Sequence, residues 1–256
     1  MDITEVLADL EAEQEALDAV VADLPAKSWQ IATASPRWAV RHQIAHLAYF
    51  DHAAALAITE PEAFKASASE LFSHVDEGAE AIDQLTVGLL SKRSASELLA
   101  DWRANRLELS TAAATLENDS RVVWYGPSMG SKSFLTARLM ECWAHGQDIV
   151  DAVGATRSAT DRIRHIAQLG YITRGWSYAN RGLDVPAEPV RVRLHSPSGQ
   201  TWTFGPQDAT ETVAGSAEEF CLVVTQRRKV GDTALTATPI AMDWLEIAQA
   251  FAGPAT

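Results

Sequence analysis

Apolar residues recur with the period of an α-helix through roughly the first 155 positions of the chain. Between residues 2 and 24 they fall at Ile3, Val6, Leu7, Leu10, Leu17, Val20, Val21 and Leu24, the spacing of a one-sided helix. Pro25 ends that pattern. A second run, WAVRHQIAHLAYFDHAAALAI, follows Ser35-Pro36 and stops near Glu60-Pro61. Its start predicts Ser35 as the N-cap and Pro36 as the first helical residue. Residues 62–90 read as broken helix, because a Ser/Ala mixture and Gly78 blur the boundaries. A third strong helix is predicted over 95–117, opened by Ser94 or Ser96, with Leu98, Leu99, Trp102, Leu107, Leu109 and Leu116 on its apolar face. A fourth spans 132–153 and is closed by Gly154. Four long amphipathic helices with one longer connection describe a four-helix bundle.

The pattern then changes. Residues 159–181 read as one more helix, stopped by Gly182. Beyond Pro186 and Pro189 the alternation shortens to two residues, in Val190–Leu194 and Thr201–Phe204 around a Ser-Pro-Ser-Gly turn, the signature of a hairpin. Glu211–Val213 and Leu235–Thr238 are further candidate strands. Ser216 opens a helix through Val224, and Pro239 opens a last one to Phe251. The expected fold class is mainly α: a helical bundle over 1–157 followed by a smaller α+β domain over 158–256.

Composition narrows the function classes. The 256 residues are 47% apolar and 21% charged, as in an ordinary globular protein, and the length suits two domains. A net charge of −13 repels phosphate backbones, so nucleic acid is not an expected partner. No run of about 18 apolar residues is present, so no membrane span is expected. The acidic, helical start MDITEVLADLEAEQ is the opposite of a secretory leader. Cys142 and Cys221 lie far apart, form no disulfide framework and suit a reducing cytoplasm.

The candidate chemistry lies on two of the bundle helices. Glu141 and His145 are four residues apart and project from one helix face, where a carboxylate and a neutral imidazole can bind one divalent metal. Arg138 and Asp148 share that stripe, which is costly to bury without partners. The second helix carries His42, His46 and His52. His46 combined with Glu141 and His145 makes three ligands on two helices and leaves a coordination position open, the pattern of a catalytic site. His42 is the rival ligand one turn earlier. Cys142 lies about 100° round the helix from Glu141 and reads as a packed core thiol, as does Cys221. The loop Tyr125–Lys132 superficially resembles a phosphate loop but lacks the Walker spacing, and reads as a tight turn leading into a helix. Trp124 and Tyr125 fit either the bundle mouth or the core.

Two segments carry a family resemblance: Trp38-Ala-Val-Arg-His-Gln-Ile-Ala-His46-Leu-Ala and Arg138-Leu-Met-Glu141-Cys-Trp-Ala-His145-Gly-Gln-Asp148. Together they resemble the DinB/YfiT-like metalloprotein superfamily, and more closely its actinobacterial branch headed by mycothiol-dependent maleylpyruvate isomerase. That resemblance implies a DinB-like metal-binding bundle joined to a small α+β domain, with His46, Glu141 and His145 as ligands of Zn2+. It also implies mycothiol or another low-molecular-weight thiol as cofactor, activated because zinc lowers the thiol pKa. In an isomerisation the thiolate adds to a conjugated double bond, allows rotation and leaves. In a transferase it stays attached or displaces a leaving group. The segment Gly215–Arg228 resembles the branch's glycine-led helix ending in arginine, which implies that Arg227 or Arg228 reaches an inter-domain cleft and grips a substrate carboxylate, with Arg138 as a rival anion partner. The partners implied are a small electrophilic substrate and a thiol. A His/His/Glu site also suits nickel, iron or cobalt. A metal-containing binding protein without turnover and a hydrolase using metal-bound water are the alternatives.

Overall fold

The computed structural model describes residues 2–253. The chain folds as two compact units, the first ending at Arg157 and the second beginning at Ser158.

Helix α1 (Ile3–Ala22) starts where the Asp2 carboxylate accepts the Thr4 N–H and Glu5 reaches back to the Asp2 N–H, a reciprocal cap. Helix α2 (Val40–Thr59) starts four residues later than Ser35-Pro36 predicts. Residues 31–40 instead fold into a small hairpin. Val40 N–H donates to Ile31 O, Thr33 N–H to Trp38 O, and Trp38 N–H closes the turn on Ser35 O. The helix begins only after this, where the Ala39 N–H donates to His42 Nδ1 at 3.0 Å. Pro61 opens α3 (Pro61–Ser73), and the broken region resolves into short pieces: α4 (Ala79–Asp83), one π-helical turn (Gln84–Gly88) and a 3-10 turn.

Helix α5 (Ala95–Ala113) is capped reciprocally by Ser94 and Glu97, and it ends four residues short of the expected boundary. Leu107, expected on its apolar face, is exposed, because it lies on the side turned from α2. A two-residue ribbon, β1 (Arg121–Val122) with β2 (Met129–Gly130), leads into α6 (Ser131–Val153). Gly154 ends α6 at φ 67°, a left-handed conformation that glycine adopts without strain. Helix α2 packs on α5 and α6, and α1 packs on α6 and α5, which closes a four-helix bundle. Its core includes Leu17, Trp29, Ile44, Leu47, Trp102, Cys142 and Ile149.

Charged residues also enter the bundle. Asp18 of α1 is buried and takes a two-pronged bond from Arg103, with Nε at 2.7 Å, while Arg106 Nη2 stands 2.8 Å away. The bond from Arg103 is the main reason its carboxyl sits below the ordinary range, against the opposing effect of burial. A depressed carboxyl stabilises the fold above its unfolded pKa and loses that contribution as pH falls through its folded value. Asp18→Asn is therefore expected to be less stable than the parent near neutrality by about 1–2 kcal/mol, a charged hydrogen bond discounted for the half-exposed Arg103. Urea melts at a series of pH values should show that deficit closing only in strong acid.

In the second unit a 3-10 turn at 161–163 leads into α7 (Arg164–Ile172), followed by α8 (Arg174–Ala179). The single helix expected over 159–181 is broken at Thr173, whose hydroxyl donates to Leu169 O and Gly170 O and competes with helix propagation. Strands β3 (Val190–His195), β4 (Thr201–Phe204), β5 (Glu211–Ser216) and β6 (Thr236–Ala237) form a sheet of order β4-β3-β5-β6. The pair β3–β4 is the expected antiparallel hairpin. The pair β3–β5 is parallel, with Val192 opposite Val213. Helix α9 (Ala217–Val224) is capped by Ser216, and α10 (Pro239–Ile247) stops short of Phe251. Among the described residues no helix is long and apolar enough to cross a membrane.

Candidate metal centre

His46 projects from the middle of α2, and Glu141 and His145 from adjacent turns of α6. Because α2 packs directly on α6, the three side chains meet. Glu141 Oε2 lies 3.3 Å from His46 Nε2 and 3.0 Å from His145 Nε2. One ligand atom from each residue falls within 4.8 Å of the others. The two imidazole rings are 4.3 Å apart, centre to centre.

The electrostatics prepare donors. Burial and the neighbouring His145 hold His46 at about 4, so its imidazole is neutral near pH 7. Burial opposes ionisation of Glu141, but hydrogen bonds from His145 and His46 outweigh it and hold the carboxyl well below its usual range. The orientation of His145 is set from behind. Gln43 Nε2 donates to Thr33 Oγ1 at 2.8 Å and Ser35 Oγ at 3.0 Å, so its amide oxygen is left to accept from His145 Nδ1. With Nδ1 engaged by Gln43, Nε2 is the ring nitrogen turned toward Glu141. Ser35 Oγ in turn donates to Asp148 Oδ2, which satisfies the last polar residue of the α6 stripe.

Two imidazole nitrogens and one carboxylate converging from two helices fit a divalent transition metal in ligand type, and Gln43 supports one of them from behind. Aromatic rings wall the cluster. Phe50 is 4.5 Å from His46, and Trp38 lies 5.2 Å from His46 and 5.8 Å from His145. Beyond Phe50, Trp124 and Tyr125 are half-buried and pack on Phe64, with Trp124 stacked on it at 5.1 to 5.3 Å from its aromatic neighbours Phe134 and Phe64.

The other candidates lie elsewhere. His42 spends its Nδ1 lone pair on the cap of its own helix, and His52 pairs with Glu108 at the surface. Cys142 is buried in the bundle core and Cys221 in the second unit, and burial raises both thiols well above their ordinary range. Arg138 directs Nη2 and Nε to Asp51 Oδ1 at 2.9 and 3.3 Å inside the bundle. Sequence reading missed Gln43, Thr33, Ser35 and Asp51. The one visible signal was Gln43, one turn before His46 on the same helix.

Arg227 and Arg228 lie just beyond α9 rather than within it. Gln226 turns the chain at φ 61°, and the amides of Gln226 and Arg227 return to Val223 O and Leu222 O, a Schellman closure with glutamine where glycine is usual. Arg227 Nη1 donates to Thr225 O, and Arg228 Nη1 to Arg227 O. With Lys229, Asp232 and Glu246 they border a surface depression of about 840 Å³ in the second unit.

Residues 10–150 match the family model described as the mycothiol maleylpyruvate isomerase N-terminal domain, and residues 186–238 match one described as wyosine base formation. Uncharacterized proteins from two strains of Mycobacterium tuberculosis, CDC 1551 and H37Rv, are each 44% identical over 253 residues, covering 97% of this chain and 95% of theirs. Among solved structures, the fold is similar to the crystal structure of mycothiol-dependent maleylpyruvate isomerase, with a TM-score of 0.61, 16% identity and 93% of each chain covered. A histidine-to-alanine mutant of that enzyme gives a TM-score of 0.60 at the same identity and coverage.

Proposed function

The chain belongs to the mycothiol maleylpyruvate isomerase N-terminal domain family, and from that membership we propose a zinc-dependent, mycothiol-using isomerase or transferase that acts on a small electrophile. The observation that carries the metal reading is the convergence of His46, Glu141 and His145. His46 and His145 would hold the metal through Nε2, and Glu141 through its carboxylate. Bound zinc would coordinate the thiol and lower its pKa, so that a thiolate nucleophile is present near neutral pH. Gln43 engages His145 Nδ1, so Nε2, which faces Glu141, would be the ligand atom. Thr33 and Ser35 hold Gln43 in that role. Trp38 and Phe50 keep water from the faces of the imidazoles.

The test is metal analysis of protein purified without a histidine tag, followed by calorimetry with mycothiol. We expect about one zinc per chain, and mycothiol binding by the zinc form only. A zinc form that ignores mycothiol overturns the thiol reading, and a protein that retains no metal overturns the metal reading. The role proposed for Arg227 and Arg228 is to orient an anionic substrate. Replacing both by alanine should leave zinc content unchanged and lower turnover by roughly tenfold or more, in keeping with about 1.5–3 kcal/mol for a charged hydrogen bond.

A further inference from the structure

The turn Ser35–Trp38 has Pro36 at its second position and Arg37 at its third, and Arg37 has φ 68°. A turn of this kind normally takes glycine or asparagine there, since a side chain at positive φ is strained. The arginine side chain has a use. Its Nη2 donates to Asp83 Oδ2 at 2.8 Å, and the same oxygen accepts the Trp38 indole N–H at 3.2 Å. The ion pair is half exposed on the arginine side, at 52%, so it adds little to stability and does not offset the strain. What it contributes is geometry. Strain kept where it brings no stability points toward a functional constraint.

The group so constrained is Trp38, whose ring stacks at 28° to the His145 ring and also packs on His46. Trp38 also borders a cleft of about 340 Å³, together with Arg37, His42, Asp83 and Val87. An untethered indole has room to swing into that space. Asp83 itself is fixed as the last residue of α4, directly before the π-helical turn Gln84–Gly88, a rare element that often marks functional positions.

We propose that Asp83 is a positioning residue of the centre: it clamps Trp38, directly and through Arg37, against the imidazoles of His46 and His145. Its consequence for metal binding rests on the function proposed above, but the clamp itself is a property of the metal-free protein.

The test compares Asp83→Ala, Asp83→Asn and Arg37→Gly in the full-length chain. The first readout is the imidazole ring-proton NMR signals of His46 and His145 without metal, which sense the ring current of Trp38. Asp83→Ala should move both signals by several tenths of a part per million. Asp83→Asn should largely restore them, because an amide oxygen still accepts from the indole. Arg37→Gly should move them less than Asp83→Ala while leaving the melting temperature unchanged or raised, since it relieves the turn. The second readout is zinc affinity by chelator competition, which should fall by about tenfold in Asp83→Ala, as for an orienting neighbour of a metal ligand. Unmoved histidine signals in Asp83→Ala overturn the clamp. If that variant does not fold, unmoved signals in Arg37→Gly overturn it equally. Shifted signals in a protein whose parent binds no zinc uphold the clamp and overturn the metal reading instead.

Discussion

Replacing His46 by alanine is expected to strip the metal from the purified protein, while replacing His42 leaves it in place. The two histidines lie one turn apart on α2 and are similar in sequence context, but their ring nitrogens have different work. His46 Nε2 faces the oxygen of Glu141 that also faces His145. His42 Nδ1 accepts the Ala39 N–H, and burial, with nearby Arg41, lowers its pKa. Removing His46 deletes one of three donors, so the loss should exceed the roughly 10–100-fold typical of an orienting residue. Metal content and chelator competition on both variants measure this. Glu141→Gln should behave like His46→Ala, since it removes the only negative charge among the three proposed ligands. Metal lost from His42→Ala and kept by His46→Ala would show that the ligand is on the other turn.

The second large effect concerns stability. Arg138→Ala should destabilise the bundle by about 3–5 kcal/mol, because it leaves a buried carboxylate without its cation. Both side chains of the Arg138–Asp51 pair are nearly inaccessible, at 4% and 3% exposure. Burial pushes the Asp51 carboxyl upward, and the nearby Arg138 charge is the first influence opposing that rise. Gln14 and Trp102 also donate to Asp51, at 3.0 and 3.2 Å, but neither carries charge. The melting temperature should fall by roughly 10 °C. The paired change Arg138→Met with Asp51→Asn should cost much less, since no lone ion is left behind. A single variant that melts within about two degrees of the parent would show that water reaches Asp51 and that the pair is not confined.

The helical period of the apolar residues made the bundle legible in the sequence. Ser94 and Gly154 act within a few residues of chain, so local chemistry was enough to place those two helix ends, whereas the reciprocal partners Glu5 and Glu97 emerged only in the structure. The β3–β4 hairpin was legible for the same reason, with alternation and turn residues adjacent. The expected start of α2 was wrong because Ser35-Pro36 carries a helix-opening signal, yet the pairing of Ile31 and Thr33 with Val40 and Trp38 turns it into a hairpin tip. A local propensity lost to a slightly longer-range pairing.

The sequence by itself determined the helical bundle, the hairpin of the second unit and the face shared by Glu141 and His145, because each depends on neighbours three or four residues away or on an adjoining turn. Only the tertiary structure decided that His46 rather than His42 meets that face, that Arg138 is paired with Asp51, and that Gln43 and Asp83 orient the rings around the cluster. Those contacts join residues 45 to 102 positions apart, from Trp38 with Asp83 to Gln43 with His145. No periodicity records such pairings: they arise when packed helices bring distant side chains together, and burial then leaves each polar group dependent on the partner it meets.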